Sequence, residues 1–123
     1  MRILPQPPLG FGDAHLAQKL ERITECSSWY RPDGDSPWGR PIVPTEMISV
    51  IAHRSNAHFP VRGPAIGLFI DLEVRFVDGP VFVDRPYAVQ HTVVGLGQSK
   101  RVESYWTEST ITDAESGVHA ATV

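Results

Sequence analysis

Two periods of apolar residues divide the chain. Over residues 68–77, Leu68, Ile70, Leu72, Val74 and Phe76 fall on one face of an extended chain while Asp71, Glu73 and Arg75 fall on the other, the alternation of a half-buried strand. Between residues 45 and 55 the spacing is helical. Met47, Ile48, Ile51 and Ala52 make one apolar stripe, Val50 widens it, and Glu46 sits where the helix dipole favours a negative charge. A helix of that length spans about 16 Å, roughly the width of a small twisted sheet, so it is expected to be buried on most sides.

The second half continues in strands. Asp78-Gly79-Pro80 and Asp84-Arg85-Pro86 punctuate it. Tyr87, Val89, Val93 and Val94 then mark a second strand turned at residues 95–98, and a third covers about residues 99–112. The turn Asp113-Ala114-Glu115-Ser116-Gly117 returns the chain into residues 118–123, whose alternation stops without a turn or capping signal. Either the last strand is cut short or it is an exposed edge that another chain completes. Ahead of the helix, prolines and glycines make residues 1–12 an extended arm. Asp13 caps a short helix through Ala14, Leu16, Ala17 and Leu20, and Ile23, Thr24, Cys26, Trp29 and Tyr30 favour a strand. Residues 30–44 hold four prolines and two glycines and form a structured loop.

Composition narrows the class. A length of 123 residues bounds a single small domain, 1–123. With 41% apolar and 20% charged residues, and 10 Gly with 11 Pro, the chain is globular and rich in turns rather than disordered. A net charge of −3 gives no general attraction to phosphate backbones or anionic lipid, so nucleic acid is not expected as a partner. No stretch approaches ~20 apolar residues and the amino terminus lacks a secretory core, which points to a soluble protein without a membrane span. Cys26 is the sole cysteine, which excludes an internal disulfide or a cysteine zinc cluster and suits a reducing cytoplasm.

Several residues carry chemistry on paper. His53 and His58 are not at the His-Glu-x-x-His spacing that puts two imidazoles on one helical face, so a helix-end role is favoured over metal. Gly95-Leu96-Gly97-Gln98-Ser99-Lys100 begins like a dinucleotide fingerprint, but Lys100 replaces the third glycine and strand residues follow; it reads as a hairpin turn. Asp33-Gly34-Asp35-Ser36 resembles the start of a calcium loop, yet Pro44 stands where a bidentate glutamate is required, so calcium is rejected. Asp33 and Asp35 then either form turns or do acid/base work near the following helix. Cys26, in an apolar setting, is a core thiol rather than a nucleophile. Trp29, Tyr30 and Trp38 form an aromatic binding wall or pack a core or an interface. His15, His91 and His119 carry no assigning spacing. The stretch Gly39-Arg40-Pro41-Ile42-Val43-Pro44-Thr45-Glu46-Met47 is a rigid entry into an apolar helix. The unpaired N–H groups of a helix's first turn can stabilise charge on a carbonyl oxygen, such as that of a thioester, during enolisation or acyl transfer. The alternative is a buried helix with no ligand.

The order of strand, Pro-rich loop, buried helix and antiparallel strands resembles the hotdog fold, an α+β architecture in which a curved antiparallel sheet wraps one central helix. Pro41-Ile42-Val43-Pro44-Thr45 is similar to the Pro-Ile-x-His-Gly helix entry of the MaoC-like dehydratase and hydratase branch. Pro86-Tyr87-Ala88-Val89, residues 93–99 and Val102-Glu103-Ser104-Tyr105-Trp106 resemble that family's consecutive strands, so the resemblance covers residues 23–123. The family's catalytic Asp-x-Asn-Pro-x-His segment is represented only by Asp33-Gly34-Asp35-Ser36-Pro37-Trp38, without the histidine, too close to Thr45 for the intervening helix, and Thr45 replaces the glycine of the helix entry.

The resemblance implies a protein that handles acyl thioesters, with coenzyme A or acyl carrier protein supplying the thiol arm of the substrate and with no separate cofactor or metal. It leaves open whether the chain is an enzyme. If it is, a hydro-lyase acting as an enoyl-thioester hydratase or dehydratase comes first, with Asp35 or Glu46 as acid/base and Pro44, Thr45 and Met47 binding substrate, and an acyl-CoA thioesterase comes second. The competing class is a non-catalytic acyl-binding or structural half. A homodimer, or pairing with a second hotdog chain, is implied in each case.

Overall fold

The computed structural model describes residues 4–5, 18, 20–25, 27–53, 63 and 67–123. Most of the expected arm, the Asp13-capped start of the first helix, His15, Cys26 and His58 lie outside the described residues; residues 20–22 are helical. The described chain is an α+β structure. Its elements are β1 (Leu4–Pro5), a 3-10 turn (Ser28–Tyr30), helix α1 (Thr45–His53), β2 (Arg75–Phe76), β3 (Tyr87–Gln98), β4 (Glu103–Asp113) and β5 (His119–Thr122). The strands form one antiparallel sheet in the order β1-β3-β4-β5-β2.

Helix α1 begins where the periodicity placed it and carries its apolar stripe inward. Met47, Ile48, Ile51 and Ala52 are buried and form one core with Val43, Val81, Tyr87, Val89, Ile111, Ala120 and Ala121. Thr45 and Glu46 of its first turn are exposed. The Pro-rich loop reaches the helix through a clamp. Ile42 bridges Phe82, Val43 donates its amide to the Val81 carbonyl at 2.7 Å, and Val83 donates to Pro41 at 3.1 Å.

Four expectations need correction. The strand read from Ile23 to Tyr30 is absent: residues 23–25 are irregular and the Ser27 hydroxyl accepts from the Trp29 amide to open the 3-10 turn, so local side-chain bonding prevails over β propensity. The strand expected over 68–77 is reduced to Arg75–Phe76, because no described strand flanks residues 67–74. The β3–β4 turn lies at Ser99, whose amide donates to Val102 at 2.8 Å, not at residues 95–98. Gly95 and Gly97 sit inside β3, where a Cβ would come within 3.1 and 3.2 Å of the Trp106 ring lying across them. Finally, the last strand is no edge: β5 runs between β4 and β2, and among the described strands β2 is the outermost on that side.

The Asp113 turn forms as expected. Gly117 takes a positive φ of 76° that a side chain would resist, and its amide donates to the Asp113 carbonyl at 2.9 Å.

Candidate functional site

The residues singled out for acid/base chemistry sit on different elements. Asp35 lies exposed in the Pro-rich loop, where the Ser28 hydroxyl donates a short hydrogen bond to its carboxylate. That bond, with a contribution from its own backbone amide, holds the Asp35 carboxyl below its ordinary pKa. Asp35 therefore stays ionised at neutral pH, which suits a turn-forming carboxylate or a weak base better than a proton donor. Asp33 is exposed in the same turn.

Glu46 and Thr45 occupy the exposed first turn of α1. Pro44 and Met47, named with them as substrate-binding residues, face inward: both are among the fully buried side chains, and the Met47 amide donates to the Pro44 carbonyl at 2.9 Å. The tip of the helix thus offers Thr45 and Glu46 to solvent and uses Pro44 and Met47 to fix itself to the core. Arg40 flanks this entry, with its guanidinium 5.3 Å above the Phe82 ring and 3.9 Å from Asp84.

The aromatic residues of the loop divide. Tyr30 is buried and its hydroxyl donates to Glu25 at 3.2 Å, whereas Trp29 and Trp38 meet edge to face at 5.7 Å on the surface. Leu20, Glu25, Ser27, Ser28, Tyr30 and Arg31 line an open depression of about 240 Å³, smaller than the roughly 300–1,000 Å³ of typical small-molecule sites.

Two polar clusters went unread in the sequence. The first joins the sheet to the C-terminal end of α1. His91 faces Ser109 across the β3–β4 ladder, with Nδ1 2.6 Å from the Ser109 hydroxyl. Nε2 of His91 is buried and makes no well-aligned hydrogen bond. Burial, then the nearby His53, push the His91 pKa down, and the Ala52 carbonyl only partly opposes them. A serine hydroxyl on an imidazole is the contact that activates nucleophiles, but Ser109 is 2% exposed, so the pair satisfies buried polar groups rather than meeting a substrate. His53 caps the region: Nδ1 contacts the Ser49 carbonyl at 2.5 Å, and its ring meets Phe69 edge to face at 5.3 Å.

The second cluster pins the β4–β5 turn. Arg85 Nε lies 2.6 Å from Asp113 Oδ2, and Nη2 donates to Oδ1 at 3.1 Å and reaches Glu115 at 3.2 Å. Asp113 also accepts the amides of Glu115 and Ser116 at 2.8 and 3.0 Å. Burial alone would raise its pKa, but the Arg85 hydrogen bond and these two amides outweigh it, so the carboxyl titrates below its ordinary value.

Among the described residues no group of three or more His, Cys, Asp or Glu is placed to hold a metal, and no helix is long and apolar enough to cross a membrane. Comparison with protein-family models, with curated proteins and with solved structures finds no match to this chain.

Proposed function

We propose that this chain is an acyl-thioester-handling protein of hotdog type, related to the MaoC-like hydratases and dehydratases, and that it works with a second copy or a second hotdog chain as partner. The observation that carries this reading is the placement of α1: an apolar helix buried on the antiparallel sheet whose first turn, with Thr45 and Glu46, remains exposed. Backbone N–H groups at such a tip attract the partial negative charge of a polarised carbonyl oxygen. Glu46 beside it is then the carboxylate placed to move a proton, with Asp35 second.

The test is hydration of crotonyl-CoA, together with hydrolysis of acyl-CoA, measured on the wild type, Asp35→Asn and Glu46→Gln. Turnover that falls about 10²–10⁴-fold in Glu46→Gln supports the acid/base assignment. Turnover untouched by both substitutions removes these carboxylates from the mechanism.

A second reading is favoured by Asp35, whose carboxyl Ser28 holds in its ionised form. In that reading the chain is the non-catalytic half of a pair and contributes acyl-binding surface. It is supported if the chain binds acyl-CoA without turning it over and activity appears on adding a second hotdog chain.

A further inference from the structure

The aromatic pair of the Pro-rich loop lies outside the core built on α1. Tryptophan is highly buried on average, yet Trp29 and Trp38 are 40% and 47% exposed. Their planes stand at 89° to one another with centroids 5.7 Å apart, so the two rings wall an open, right-angled corner. The loop backbone fixes both walls. The Trp29 carbonyl accepts from the Ile42 amide at 3.0 Å, just ahead of α1. The Ser27 hydroxyl accepts the Trp29 amide and the Ser36 hydroxyl accepts the Trp38 amide, each at 3.3 Å. Gly39 closes the turn after Trp38 with a φ of 73°, its amide donating to the Ser36 carbonyl at 2.9 Å. Gly34 lies so close on the Ser28 carbonyl that a side chain there would collide with it. Walls held by this many local contacts lose little freedom when a ligand arrives.

Charge selects the ligand. The face of an aromatic ring is negative and attracts cations. Residues 23–39 hold Glu25, Asp33 and Asp35 against Arg31 alone. Asp33 and Asp35 are exposed, and the Ser28 hydroxyl, one residue before Trp29, donates to Asp35 and keeps it ionised. Among the described residues no basic side chain lies over either tryptophan; Arg40, the next cation along, stacks on Phe82 and approaches Asp84. A primary ammonium is compact, strongly hydrated and carries three N–H donors, for which two indole faces offer no acceptor. A quaternary ammonium has no N–H to satisfy and spreads its charge over methyl groups that pack on the rings. We propose that Trp29 and Trp38, with Asp35 beside them, bind the quaternary ammonium group of a small molecule of the choline class. The same carboxylates repel a phosphate carried next to the cation, so choline is selected over phosphocholine. This site does not depend on Thr45 and Glu46, nor on any turnover of thioesters.

The test is titration of the full chain with choline, followed by calorimetry and by the indole N–H signals in NMR. Choline should bind at about millimolar concentration. Its uncharged isostere, in which a tert-butyl carbon replaces the nitrogen, should bind about tenfold more weakly, and phosphocholine should also bind more weakly. The indole signals of Trp29 and Trp38 should move while that of Trp106, on the β3–β4 hairpin, stays. Trp38→Ala should weaken binding about tenfold, Trp38→Phe should keep most of it, and Asp35→Asn should weaken it about threefold, with circular dichroism confirming that each variant is folded. The proposal is overturned by a wild type that does not bind choline, by an isostere that binds as well as choline, or by binding indifferent to Trp38→Ala. A trimethyl-lysine peptide that binds more tightly than choline would assign the corner to a protein partner and overturn the small-molecule class.

Discussion

Tyr87, Val89 and Ile111, at one end of the β3–β4 hairpin, are 2%, 4% and 0% exposed. Leu96 and Tyr105, directly opposite one another at the far end, are 78% and 46% exposed. Both ends belong to one ladder, and Tyr105 and Ile111 lie on the same face of β4. The near end has α1 beneath it, β5 beside β4 and β1 beside β3; the far end, past the irregularity at Val93 and Gly95, has among the described residues only its own two strands. Backbone pairing therefore makes the strand, and a covering helix makes the core.

Truncation of the near end should show the largest effect. Ile111→Ala removes a fully buried side chain and should lower stability by about 2–5 kcal/mol in urea unfolding. Next comes the turn that ends β4. Asp113→Ala leaves Arg85 and two amides without their acceptor and should cost about 1–3 kcal/mol. Because folding holds the Asp113 carboxyl more acidic than in the unfolded chain, its contribution is complete above about pH 4 and fades as pH falls through the lower folded value. Asp113→Asn should flatten that part of the curve of stability against pH.

His91 sits where the two halves meet and titrates in the other range. Its folded pKa lies below the ordinary 6.5, so the unfolded chain takes up the proton first. Stability should fall as pH drops from about 6.5 to the folded value and level off beneath it. His91→Gln should remove that slope in thermal melts across the same range. At the far end Gly95→Ala should push the Trp106 ring aside by a few tenths of an ångström, visible in its fluorescence, at no more than about 1 kcal/mol. Leu96→Ala should be the mildest, within about 0.5 kcal/mol of wild type. A loss at Leu96 that rivals Ile111 would mean that something covers the far end as well.

What could be read from the sequence follows the same division. Helix α1, the Pro-rich loop and the Asp113 turn rest on local signals, namely the apolar stripe, the prolines, and an aspartate followed by glycine, and they stand where those signals put them. Strand registers depend on where turns fall. Taking Gly95 and Gly97 as the turn hid their service to Trp106 and displaced the pairing that sets His91 opposite Ser109, so that cluster could not be read. Alternation over residues 68–76 signals a strand but not its partner, and among the described residues only Arg75–Phe76 finds one. At the candidate site, Thr45 and Glu46 are exposed. The inward turn of Pro44 and Met47 follows from the core the stripe itself demands.

Amide hydrogen exchange with and without crotonyl-CoA tests most directly whether the start of α1 meets an acyl thioester. The ligand should slow exchange in the first turn of the helix, at Thr45 and Glu46, while the near-end amides of Val89 and Ile111 should be equally protected in both samples. Unchanged exchange at the helix start under saturating ligand, or protection confined to a distant surface, would contradict it.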